Sequence, residues 1–303
     1  MSSIARPLGV TERPATAEEV IAKHRSQGRT FKAAGVQSFV CEQGNGPNVL
    51  CMHGMWGSSF LYRKLLAELD QRGFRGVVWD LPGFGMAERP ENFDYSWSGL
   101  GRFSVAAAEK LGLERFHLVV HDVGGPIGFE LARALPERVA SLTILNTMID
   151  VSEFSPPWSM RPFRMPVIGR MWLAGMAPPM FRFLMALQGV ADRSQITKAE
   201  LNAYLKMMKG PDGGRSFLKV MRSTETTPEK QAYYRKAVRG VPYPVQVVWA
   251  AEDPALSLAS YGRKAQAAAG LESIHTIKGK HFPQEDQAPA IADKIAEIAG
   301  RAG

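Results

Sequence analysis

Cysteine is almost absent from this chain: its 303 residues include two, Cys41 and Cys51. Both lie in apolar, strand-like runs, so no disulfide framework organises the fold. Reduced, buried packing residues of a cytoplasmic protein are the expectation. Long apolar runs are missing too. The most apolar stretch, Met165 to Ala191, is interrupted by Arg170, Pro178, Pro179 and Arg182, which argues against a membrane-spanning helix. Met1 to Thr30 carry Pro, Glu, Lys and Arg throughout and no apolar stretch, so neither a signal peptide nor an anchor is expected. Basic runs, aromatic-interleaved repeats and zinc-ligand spacings are also lacking. The formal net charge of +8 is scattered along the chain, which argues against nucleic acid as a partner. No motif for a cofactor or a metal is visible, and no internal repeat.

What is present is ordinary globular composition, 45% hydrophobic and 22% charged. The length exceeds one average domain but suits a single α/β core with an insertion. Short apolar runs alternate with helical patterns from about Gly35 to Thr147. The runs are Val36 to Cys41, Val49 to Met52, Gly76 to Trp79, His117 to Val120 and Leu142 to Leu145; helices are expected over Leu61 to Arg72, Gly99 to Leu111 and Ile127 to Leu135. This alternation predicts a mostly parallel sheet flanked by helices. Residues 151–240 hold no convincing strand, are rich in Met, Pro, Phe and Trp, and show helical periodicity in Lys198 to Lys209 and Phe217 to Ser223. The economical account is a helical cap inserted into a core made of 1–150 and 241–303. Alternation resumes with a strand over Val245 to Ala250, a helix over Leu258 to Ala268, a strand over Ser273 to Ile277 and a helix over Pro289 to Ala299.

One segment stands out: Leu118-Val119-Val120-His121-Asp122-Val123-Gly124-Gly125-Pro126, a buried strand running into a helix through a polar residue and two glycines. That is the strand-turn-helix context of a nucleophile elbow, with Asp122 where the nucleophile stands. Asp is also a common helix cap, and the segment alone does not separate the two roles. After the strand Val49 to Met52 comes His53-Gly54-Met55-Trp56-Gly57. Such a loop can aim the Met55 N–H at the same point as the Val123 N–H to form an oxyanion hole. His53 more naturally fixes this loop than moves protons. Asp253 follows the strand Val245 to Ala250 and precedes Pro254; His281, in Gly279-Lys280-His281-Phe282-Pro283, follows another strand. In an open α/β sheet such residues converge at the carboxyl ends of the strands, and the order Asp122, Asp253, His281 is nucleophile, acid, histidine. Glu252 and Asp150 are rival acids for orienting His281.

With these residues in view, the chain resembles the haloalkane dehalogenase and epoxide hydrolase branch of the α/β-hydrolase superfamily, from Gly35 to Ala299. The stretches that carry the likeness are Ser58 to Arg63, Asp80-Leu81-Pro82-Gly83-Phe84-Gly85, the elbow, Pro136 to Val139 with Leu145-Asn146-Thr147, and His281 to Asp286. The resemblance implies the α/β-hydrolase fold, Asp122 as nucleophile, His281 as base and Asp253 as its partner, with the family's alternative acid position falling on Asn146. It also implies a small hydrophobic organic substrate and no cofactor or metal. Whether the protein is a monomer or a homodimer stays open.

Two departures from the family pattern matter. Dehalogenases of this type place Trp directly after the nucleophile and Asn after the His-Gly pair as halide donors; here those positions hold Val123 and Met55. Trp56, Trp158 or Trp172 are the candidates to replace them. Epoxide opening needs cap tyrosines, for which Tyr204, then Tyr233 or Tyr234, are the candidates; Phe217 lies near where a second tyrosine belongs. Three functions stay in play: a dehalogenase-like hydrolase working through an aspartyl ester, an epoxide hydrolase, and a ligand-binding or signalling protein that kept the fold without turnover. Cap methionines, Met160, Met165, Met171, Met176, Met180, Met207 and Met208, point to an adaptable apolar pocket.

Overall fold

Every residue of the strands Phe116–Asp122 (β5) and Val139–Thr147 (β6) is buried. Such runs, apolar on both faces, form only at the centre of a sheet covered on two sides. A computed structural model describes residues 15–301 and places these strands in the middle of an eight-stranded sheet. The others are β1 (Gly28–Ala33), β2 (Val36–Gln43), β3 (Asn48–Met52), β4 (Arg75–Trp79), β7 (Val245–Ala250) and β8 (His275–Ile277). Their order is β1-β2-β4-β3-β5-β6-β7-β8, with β2 antiparallel to β1 and β4 and the rest parallel. The chain winds outward in both directions from β3, so the carboxyl ends of β3 and β5 flank the topological switch point.

The flanking helices follow from their apolar stripes. Helix α2 (Arg63–Gln71) buries Leu65, Leu66 and Leu69, and packs with the last helix, Ala288–Ala299, which buries Ile291, Ile295 and Ile298. Helix α3 (Trp97–Lys110) packs with α4 (Gly124–Ala134). Each expected strand and helix of the sheet region is found within a few residues of its predicted place. The expected helix Leu258 to Ala268 begins as a π-helical turn, Leu258–Gly262, before continuing as an α-helix over Arg263–Ala269.

Two elements were not anticipated. Helix α1 (Ala17–Ser26) fully buries only His24, packs Ala17, Val20 and Ile21 part-buried against the core, and is held by a reciprocal Thr16–Glu19 cap, so its apolar stripe is short and faint. Strand β1 is an edge strand with half its residues exposed, joined to β2 through Ala34 (φ +46°) and Gly35 (φ +79°).

Between β6 and β7 the described residues form helices and loops without a strand: α5 (Pro166–Gly175), α6 (Pro178–Leu184), a π-helical turn over Met185–Gly189, α7 (Lys198–Lys209), α8 (Arg215–Arg222) and α9 (Pro228–Arg235). Among the described residues no helix is long and apolar enough to cross a membrane. Cys41 and Cys51 are buried and unbridged.

Candidate active site

At the end of β5 the chain must reverse into α4 within one residue, and Asp122 takes a left-handed conformation, φ +52°, to do so. For a residue other than glycine this costs roughly 1–2 kcal/mol, least for Asp and Asn. The glycines that follow are required by space. A Cβ on Gly124 would stand 2.4 Å from the Met52 carbonyl oxygen, and one on Gly125 1.9 Å from Thr147 Oγ1. The Thr147 hydroxyl in turn donates to the Asp122 carbonyl. Gly54 is needed as well, because a Cβ there would lie 2.2 Å from Asp122 Oδ1. The loop after β3 therefore closes down until the Met55 N–H donates to Asp122 Oδ1 at 2.6 Å. His53 holds that loop: its Nε2 accepts from the Leu81 N–H at 3.0 Å and its Nδ1 donates to the Gly54 carbonyl at 3.1 Å.

The other carboxylate oxygen, Asp122 Oδ2, lies 3.2 Å from His281 Nε2, and His281 Nδ1 lies 2.8 Å from Asp253 Oδ2. Asp253 is fixed from behind. Its Oδ1 accepts the N–H groups of Ala255 (2.7 Å) and Leu256 (3.0 Å), and Asn146 Nδ2 donates to Oδ2 at 2.8 Å. Asn146, itself at φ +36°, accepts from the Ala250 N–H with its Oδ1 at 2.9 Å, which locks its amide orientation. Beneath His281, His121 donates from Nε2 to the His281 carbonyl at 2.7 Å. The rival acids stand elsewhere. Glu252 is exposed, and Asp150 is paired with Arg235 at 2.8 Å.

Burial by itself would raise the Asp122 carboxyl. The hydrogen bond and charge of His281 and the Val123 N–H outweigh it and hold Asp122 below the usual carboxylate range. Burial likewise disfavours the His281 cation, yet the charge of Asp253, hydrogen bonds to Asp122 and Asp253, and the charge of Asp122 push His281 up to about 10. The resting arrangement is thus an imidazolium between two carboxylates. His121 and His53 are driven down to about 4, chiefly by burial, and stay neutral.

Asp122 and His281 open onto a cavity whose walls are mostly apolar, including Met55, Trp56, Val123, Leu256 and Phe282 from the sheet side and Phe154, Pro157, Met160 and Met221 from the helices. The space free for the centre of a water-sized sphere is about 50 Å³, room for about four waters. A ligand of a few heavy atoms fits without rearrangement.

Of the sequence-named candidates, Asp122, Asp253, His281, Met55 and Val123 come together here. Trp56 also lines the cavity, at φ +58°, with its ring 5.4 Å from Phe181 and its indole N–H buried without a partner. The others are corrected. Tyr204 is buried away from the cavity and donates to Glu285 Oε1 at 2.5 Å, inside an ion cluster in which Arg63 bridges Glu285 and Glu200. Trp158 is 55% exposed, and neither it nor Trp172 lines the cavity. Tyr234 donates to Glu130 and Tyr233 packs under Lys230, both outside the lining. Of the methionines read as pocket residues only Met160 lines it; Met165 and Met171 are exposed, and Met176, Met207 and Met208 pack elsewhere. The polar residues that sequence reasoning missed are Gln188, Arg164 and Thr224, all in the lining. Gln188 left one trace, a lone uncharged polar side chain in the apolar stretch Met165 to Ala191.

The family described as alpha/beta hydrolase fold matches residues 47–288. A haloalkane dehalogenase of Mycolicibacterium paratuberculosis (strain ATCC BAA-968 / K-10) is 28% identical over 258 residues, 83% of this chain and 83% of that protein. An uncharacterized hydrolase of Saccharomyces cerevisiae is 25% identical over 274 residues, covering 87% of this chain and 93% of the other. The crystal structure of an epoxide hydrolase from Vigna radiata superposes with a TM-score of 0.71 at 23% identity, over 90% of this chain and 97% of that one, a likeness of fold. The chain belongs to the alpha/beta hydrolase fold family.

Proposed function

We propose that the protein hydrolyses a small hydrophobic organic substrate through an ester formed on Asp122, with a haloalkane-type compound as the substrate class. The observation that carries this reading is the line Asp122–His281–Asp253, with 3.2 Å and 2.8 Å between successive groups. In it Asp122 is the nucleophile, His281 the base and Asp253 the group that orients His281 and balances its charge. Met55 N–H already holds Oδ1, so Oδ2, the oxygen facing His281, is the one free to attack. Attack leaves an ester through Oδ2, while Oδ1 becomes its carbonyl oxygen. That oxygen carries the charge when water adds, in the grip of the Met55 and Val123 N–H groups.

Ester formation also solves a protonation problem. At rest His281 is an imidazolium and cannot act as a base. Alkylation removes the charge on Asp122, one of the causes that hold His281 up, so the imidazolium can lose its proton to solvent, and the neutral ring can then take a proton from the water that attacks the ester. Residues 151–240 serve as the lid that keeps bulk water out, over a core of 1–150 and 241–303.

An epoxide is disfavoured by one feature: among the described residues no tyrosine lines the cavity, and Tyr204 is committed to Glu285. An opening epoxide needs a proton for its alkoxide, whereas a halide departs without one. The test is to incubate His281→Ala protein with haloalkane and epoxide panels and weigh it intact. A haloalkane adduct lacking the halogen, absent from Asp122→Asn, is the expected result. Adducts that retain the epoxide oxygen select the epoxide reading. Tight binding with no adduct and no wild-type turnover overturns both in favour of a ligand-binding protein.

A further inference from the structure

The helical side of the cavity contributes one carboxamide, Gln188. It stands in the π-helical turn Met185–Gly189, whose wider winding leaves backbone carbonyls free to face outward. The Gln188 carbonyl accepts the His281 N–H at 3.1 Å and the Gly189 carbonyl accepts the Phe282 N–H at 2.8 Å, so this turn is stitched directly to the loop that carries His281. The side chain is 8% exposed. Its Oε1 accepts the hydroxyl of Ser159, itself fully buried, at 2.8 Å. With the oxygen so engaged, the amide nitrogen is the free end, and it has no protein partner among the described residues. The nitrogen is not sealed in the interior but belongs to a side chain lining the cavity, so a partner that arrives with the substrate can reach it.

We infer that Gln188 is the donor that receives the negative charge on the leaving atom when Asp122 attacks. The inference rests on the nucleophilic role of Asp122 proposed above. In the attack, an electron pair on Asp122 Oδ2 forms the C–O bond, and the pair of the C–X bond departs with X as the halide. No proton moves. In-line displacement sends X away from Asp122, towards the helical wall that Gln188 belongs to. Other donors near the cavity are engaged, sealed or turned to solvent: Met55 N–H on Asp122 Oδ1, the Trp56 indole inside the protein, and the exposed Arg164, one N–H of which donates to Thr224 at 3.3 Å. An amide N–H can accept charge by hydrogen bonding but cannot surrender its proton to an alkoxide, so Gln188 favours leaving groups that depart as stable anions.

The experiment compares wild type, Gln188→Leu and Ser159→Ala in single turnovers with matched alkyl chlorides, bromides and iodides. Intact mass follows adduct formation and adduct hydrolysis as separate rates. Gln188→Leu is expected to slow adduct formation by about 100-fold or more. The loss should be largest for chloride and smallest for iodide, whose charge is most diffuse, and adduct hydrolysis should keep its rate. Ser159→Ala, which frees the amide without entering the cavity, should give a smaller loss in the same halide order and covers the case in which the leucine variant does not fold. An unchanged rate of adduct formation, or equal slowing for all three halides, overturns the role of Gln188 while leaving Asp122 as nucleophile. Failure of the wild type to form any adduct overturns both.

Discussion

The cavity has two walls built in different ways. On the strand-end wall each side-chain oxygen of Asp122 and Asp253 and each ring nitrogen of His281 has a hydrogen-bond partner, and two backbone N–H groups grip Asp253. On the helical wall Phe154, Pro157, Met160 and Met221 offer shape, and the polar atoms are few. Fixed backbone turns at the ends of β3, β5, β7 and β8 position the groups proposed to react, and a wall of apolar side chains from the helices leaves room for substrate preference to be reset without disturbing them. Substitutions on the first wall should therefore act on rate, and substitutions on the second on substrate choice or on stability.

The largest expected effect tests the first wall. Asp253→Asn should lower turnover by about 10⁴-fold by offering His281 the wrong partner. Adding Asn146→Asp, whose side chain stands 2.8 Å from Asp253 Oδ2, should restore a measurable part. If steady-state assays show Asp253→Asn at near wild-type rate, the strand-end wall does not do the chemistry. Next in size, Gly54→Ala forces a Cβ to within 2.2 Å of Asp122 Oδ1 and must push the Met55 N–H away. A fall in kcat of about 10²–10³-fold is expected, with KM little changed. A change confined to KM would contradict the oxyanion role.

Acid should divide the two walls by stability. His24, His53 and His121 are each lowered to about 4, chiefly by burial. Between pH 6.5 and 4 the unfolded chain binds protons that these groups refuse in the native state, so stability falls as pH is lowered through that window. The slope is up to about 1.4 kcal/mol per pH unit for each histidine. His281, raised, has the opposite sign: its contribution is complete below 6.5 and is lost as pH climbs towards 10. Residues 151–240 contain no histidine, so the histidine share of the acid loss belongs outside them, while Glu200 and Asp212, held low by Arg63 and by the Ser216 N–H respectively, add a carboxylate share at still lower pH. Thermal melts that stay flat from pH 6.5 to 4 would refute this. The smallest effect tests the helical side. Tyr204→Phe removes the hydroxyl that Glu285 accepts and should cost about 1–3 kcal/mol of stability while turnover stays at the wild-type level. A collapse of activity in a folded Tyr204→Phe protein would return the tyrosine to the reaction.

The same contrast explains what the sequence revealed. β5 and β6 were legible because both faces are buried and the runs are continuously apolar, and the elbow was legible because Gly124 and Gly125 are demanded by contacts of 2.4 Å and 1.9 Å. Each leaves a mark on a single residue type. Helix α1, with only His24 fully buried, leaves just the short stripe Ala17, Val20 and Ile21. On the helical side the same apolar composition lines a cavity at Met160, fills the interior at Met176 and faces solvent at Met171, and only the packing separates them. Tyr204 illustrates the point: its helical spacing was plain, but its partner Glu285 lies far along the chain.

The paired backbone bonds from His281 and Phe282 to the carbonyls of Gln188 and Gly189 have a mechanical meaning. They pin the lid at the histidine. Lifting it there would break both bonds, at about 1 kcal/mol or more each, and strip the imidazole of its support. Breathing that lets molecules in and out is therefore cheapest away from the histidine, where parting Arg164 from Thr224 within the helical wall breaks one contact of 3.3 Å.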